Sequence, residues 1–72
     1  MAESTFAVIQ RRQIEITIGE LLLTSDYYMR QSIAERLRHL VAHADPSMDL
    51  TQLSESAREE LAELGILSPQ DR

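Results

Sequence analysis

The sequence predicts an all-α chain of three helices, over about residues 5–23, 26–44 and 50–64, assembling as a helical homodimer. Three observations carry that expectation. Apolar residues return at three- and four-residue spacing through each stretch. Capping and breaking residues stand at the ends. The first stretch is apolar on two opposite sides, and a chain of 72 residues has little left with which to cover both.

The first helix opens at Ser4 or Thr5, whose hydroxyls can accept from the free N–H groups of a first turn. Phe6 begins its apolar pattern. Ile14, Ile18 and Leu21 form one stripe. Ile9, Ile16 and Leu23 form a second on roughly the opposite side, and Leu22 completes the apolar run that ends the helix. Against a helix stand its β-branched isoleucines and Gly19, which costs about 1 kcal/mol relative to alanine in a helix interior. The rival reading is a hairpin, with strands over 6–9 and 13–18 and with Ile14, Ile16 and Ile18 alternating onto one face. Its turn, Gln10-Arg11-Arg12, has none of the Gly, Asn, Asp or Pro that tight hairpins use. A lone two-stranded hairpin is also marginal in water. The helix is the preferred reading.

Thr24-Ser25-Asp26 breaks the chain, since all three side chains compete for backbone hydrogen bonds and make good N-caps. In the second helix Met29, Ile33, Leu37, Leu40, Val41 and Ala44 share one face. Arg30 and Arg36 flank it, where their stems can lie over apolar neighbours. Arg38 lies on the polar side. Pro46 disfavours a helical conformation at Asp45 and so ends the helix.

The third helix starts near Asp49 or Thr51, with Leu50, Leu53, Ala57, Leu61 and Leu64 as its stripe. Ser56 and Glu59 match a capping box, which offers a later start and leaves residues 50–54 as a separate turn. Gly65 stops the helix by taking the left-handed conformation, and Ile66 then packs back on Leu61. Residues 1–4 and 68–72 read as frayed tails around one small domain.

Composition bounds what such a chain does. There is no cysteine, so disulfide staples and thiolate zinc sites are excluded, and oligomerisation is the remaining common stabiliser of a small core. The N-terminus carries Glu3 where a secretory signal carries a base, and no apolar run approaches a bilayer's thickness. A cytoplasmic protein with no membrane association is expected. The net charge of −5 lies wholly in residues 45–72, because Arg11, Arg12, Arg30, Arg36 and Arg38 balance Glu3, Glu15, Glu20, Asp26 and Glu35 in the first 44. An acidic total opposes affinity for phosphate backbones, and nucleic acid is not an expected partner.

Few residues suggest chemistry. Glu35, His39 and His43 share the polar face of the second helix at four-residue spacing, which can chelate a divalent metal. Without cysteine or an HExxH arrangement, a solvated face with ordinary histidines is the favoured reading, and neither metal nor cofactor is expected. Tyr27 and Tyr28 are contact candidates, since an exposed tyrosine pairs an apolar ring with a polar tip. Arg30, Arg36 and His39 join them as candidate partner contacts. The core and dimer candidates are Ile9, Ile14, Ile16, Ile18, Leu21, Leu22, Leu23, Ile33, Leu37 and Leu40. No phosphate loop, nucleophile elbow or acid–base pair points to an enzyme.

From Ile18 through Asp45 the chain runs Ile-Gly-Glu-x-Leu-Leu-x-Ser, a short polar break, then Ile33, Leu37, Leu40 and a closing Asp45. This stretch resembles the YmgB/AriR family of small bacterial regulators. The resemblance implies an all-α dimer that acts as a connector in biofilm and acid-stress control, and it carries over no functional residue. The expected function is a small non-enzymatic regulator, a homodimer acting by contact with an unidentified protein as a connector, antitoxin-like protein or phage-type inhibitor. The alternative is a dimeric DNA-binding transcriptional regulator using its arginines.

Overall fold

A computed structural model describes residues 3–67. Within them the chain forms α1 (Thr5–Leu23), α2 (Tyr27–Ala42) and α3 (Glu55–Glu63), with a single 3-10 turn at Leu50–Gln52 before α3. No strand forms among the described residues, so residues 6–18 are helix and not a hairpin.

Local chemistry sets most of the boundaries. Ala7 N–H donates to the Ser4 hydroxyl at 3.0 Å and opens α1. Asp26 accepts from Met29 N–H at 2.9 Å and opens α2. Gly65, at φ 77°, is the only positive-φ residue among those described. It closes α3 as a Schellman motif: Ile66 N–H donates to the Leu61 carbonyl at 2.9 Å and Gly65 N–H to that of Ala62 at 3.0 Å.

The expected helix over 50–64 is shorter than the pattern implied. The 3-10 turn stands apart, and the cap is Ser54 rather than Ser56, with Ala57 N–H donating to the Ser54 hydroxyl at 3.1 Å. A distant residue makes that choice. Glu15 on α1 accepts from Ser54 N–H at 2.7 Å and from its hydroxyl at 3.1 Å, which fixes Ser54 outside the helix. The second helix likewise ends at Ala42, with His43 as its C-cap, rather than at Ala44.

α1 packs against both α2 and α3. Ile14, Ile18 and Leu21 face inward and meet Ile33 and Leu37 of α2 and Leu53, Ala57 and Leu61 from the third segment. Leu40, Val41, Leu64 and Ile66 border this core. Full burial of an isoleucine or leucine contributes about 1.5–3 kcal/mol. Thr17 is buried too, because its hydroxyl donates to the Gln13 carbonyl at 2.8 Å and leaves no polar atom unpaired. Met29 departs from expectation: it is exposed, and Ala34 is buried instead. The buried arc of α2 is centred between Ile33 and Ala34, so Met29 falls beyond its edge.

Polar groups of α1 and of the two residues before it lace the connector over residues 43–54 to the helix. Gln10 donates to the His43 carbonyl at 3.1 Å and accepts from Asp45 N–H at 2.7 Å. Glu3 accepts from Asp49 N–H at 2.6 Å and pairs with Arg11 at 2.6 Å. Ser4 N–H donates to the Ser47 hydroxyl at 3.1 Å. The frayed end expected over residues 1–4 therefore gives way at Glu3 and Ser4, which are tied down. The tail expected over 68–72 lies outside the described residues.

Candidate interaction surface

A helix side chain at i+7 returns to almost the same angular position as i. Ile9, Ile16 and Leu23 are therefore collinear along α1, and Phe6 joins them three residues before Ile9. All four are exposed: Ile16 by 50 %, Phe6 and Ile9 by 59 % and Leu23 by 89 %. Nothing in residues 3–67 lies over this outer face. Of the ten core and dimer candidates, Ile14, Ile18, Leu21, Ile33 and Leu37 are buried and Leu40 is half-buried, whereas Ile9, Ile16, Leu22 and Leu23 are exposed.

Leu22, Leu23, Tyr27, Tyr28 and Met29, on either side of the break at residues 24–26, are exposed as well. Tyr28 is 80 % exposed, and its ring stands edge-on to that of Tyr27 with centroids 5.4 Å apart. Scattered exposed hydrophobics are ordinary, but a row of large apolar side chains along one helix face marks a candidate contact surface. Phe6 and Val8 belong to the exposed set, and sequence reading did not single them out as contacts. The three-residue step from Phe6 to Ile9 was the available signal for Phe6.

Most of the arginines are engaged. Arg30 donates to the carbonyls of Leu21 at 2.8 Å and Thr24 at 3.0 Å. It thereby caps the C-terminus of α1 with a cation, where the helix dipole favours one. It also lies 3.9 Å from Glu60. Arg36 pairs with Glu20 at 3.4 Å and Arg38 with Glu35 at 3.3 Å, both on the surface. As partner-contact candidates, then, Arg30 is structural and Arg36 is half-committed, while Tyr27, Tyr28 and His39 remain open to solvent.

His39 and His43 stack with centroids 6.1 Å apart, and the Glu35 carboxylate lies 3.9 Å from His39. His43 Nδ1 sits 3.0 Å from the His39 carbonyl oxygen, which only accepts, so that nitrogen carries the proton. Among the described residues no group of three or more His, Cys, Asp or Glu is placed to hold a metal ion. An open cleft of about 280 Å³ lies between Tyr27, Arg30, Ala34, Arg38, Glu63 and Leu64. Both of its cations are engaged, Arg30 on backbone carbonyls and Arg38 with Glu35. Among the described residues no helix is long and apolar enough to cross a membrane.

Three carboxylates titrate below their ordinary range. The Arg11 guanidinium, helped by Asp49 N–H, lowers Glu3. The hydroxyl and N–H of Ser47 lower Asp45, and those of Thr51 lower Asp49. All three belong to the lacing between α1 and the connector, away from the apolar surface.

No family model, curated protein or solved structure matches the chain.

Proposed function

We propose that this chain is a small non-enzymatic regulator, a homodimer that acts by direct contact with another protein. The observation that carries the reading is the uncovered apolar run from Phe6 to Leu23, continued by Tyr27 and Tyr28. Leaving so much apolar surface in water is costly at about 25 cal/mol per Å², and association removes that cost. The surface divides into two parts suited to two contacts. The straight stripe of α1 takes a second copy. The aromatic corner at Tyr27 and Tyr28 takes the regulated protein, since tyrosine anchors are enriched at such contacts.

The resemblance read from residues 18–45 to the YmgB/AriR family points the same way, to a bacterial connector. Nucleic acid does not enter this reading, because most of the arginines it would need are neutralised or buried against carbonyls. Among the described residues, many polar side chains cap helices or lace the connector to α1.

Site-specific photocrosslinking tests the reading. A photoreactive residue at Tyr28, expressed in the native cell, is expected to trap one discrete protein other than the chain itself. Adducts to the chain alone would remove the regulated partner from the account.

A further inference from the structure

Resting on the homodimer reading, we infer that the second copy docks antiparallel along α1, with Ile16 of both copies at the two-fold axis. Ile16 is the midpoint of the seven-residue row Ile9, Ile16 and Leu23, since Ile9 and Leu23 lie equally far from it on either side. A two-fold through Ile16 sets Ile9 level with Leu23 of the second copy, and Leu23 level with its Ile9. The row Ile9, Ile16 and Leu23 then covers itself, with Phe6 lying beyond it, which is the self-complementarity a closed two-fold contact requires.

The charges choose the direction. Arg12 lies four residues before Ile16 and Glu20 four residues after it, both on the exposed side of α1. Antiparallel docking brings each Arg12 level with Glu20 of the other copy. Parallel docking brings Arg12 level with Arg12 and Glu20 level with Glu20, and like charges across a contact are repulsive. Arg12 makes no ion pair among the described residues, and Glu20 is bound only through Oε1 to Arg36, at 3.4 Å on the surface. Both remain available for a second partner.

Gly19 fits the same docking. It lies on this side of α1, and a Cβ added there would meet nothing within 4 Å. No crowding inside the chain explains a glycine in a helix interior. In the antiparallel register it comes level with Gln13 of the second copy, where the absent side chain lets the two backbones approach.

The absence of native cysteine makes crosslinking a clean test. Under mild oxidation Ile16→Cys is expected to give a covalent dimer, because the two positions meet at the axis. Ile9→Cys and Leu23→Cys singly should stay uncrosslinked, and the double variant Ile9→Cys/Leu23→Cys should crosslink. Efficient dimers from both single variants would establish a parallel pair and overturn the inference while leaving a homodimer in place. A wild-type chain that sediments as a monomer would instead overturn the homodimer reading itself. Charge reversal gives an independent arm: Arg12→Glu and Glu20→Arg should each weaken the dimer roughly tenfold, and the pair together should restore it. Two additive losses in the double variant would overturn the pairing of those residues.

Discussion

Ile14 and Ile16 stand two residues apart on one helix, share a side chain and differ completely in environment: Ile14 is 0 % exposed and Ile16 is 50 % exposed. The inner stripe, Ile14, Ile18 and Leu21, is covered by α2 and the third segment. The outer stripe, Ile9, Ile16 and Leu23, has no cover in residues 3–67. Local propensity does not separate them. What separates them is which face of α1 the other described helices cover. The lacing by Glu3, Gln10 and Glu15 decides which face that is, because it fastens the connector and the start of α3 to one flank.

The largest effects should come from the inner stripe. Ile18→Asp or Leu21→Asp places an unpaired carboxylate in the core and is expected to unfold the chain, read as loss of helical circular dichroism. A folded Ile18→Asp would break the distinction between the two faces. Ile16→Asp, by contrast, should keep its circular dichroism and lose only self-association. Leu37→Ala, at a fully buried position of the shared core, should cost about 2–5 kcal/mol in urea unfolding. Ser54→Ala should cost about 0.5–2 kcal/mol, since it removes the cap of α3 and one partner of Glu15.

The smallest effect is electrostatic and separates the lacing from the stripes. Glu3 titrates below its ordinary 4.5 in the folded chain, so its contribution is full above that pH and fades as pH falls through the lowered value. Asp45 and Asp49, held below 3.8, follow the same sign. An NMR titration should therefore show the Asp49 amide shifting below pH 4.5 while methyl signals of Ile14 and Leu21 stay unchanged. Core methyls that move together with that amide would mean the clamp and the core are one unit.

Much of the architecture was legible because its signals are local. Ser4, Asp26 and Gly65 mark helix ends through contacts spanning only a few residues. The start of α3 was not legible, because Ser54 and Ser56 both suit a cap and Glu15, 39 residues before Ser54, selects between them. Met29 was misassigned because a stripe read from sequence has no fixed centre, and α2 is turned toward Ala34. The two stripes of α1 could be seen, but not which one faces inward, since helical periodicity is the same for both. The engagement of Arg30 with the end of α1 also depends on how the helices meet, which no spacing encodes.

Sedimentation equilibrium of the wild-type chain beside Ile16→Asp bears most directly on the outer stripe of α1. A wild-type dimer at micromolar concentration and a folded, monomeric Ile16→Asp are the expected results. A wild-type monomer, or an Ile16→Asp dimer as tight as the wild type, would contradict the account.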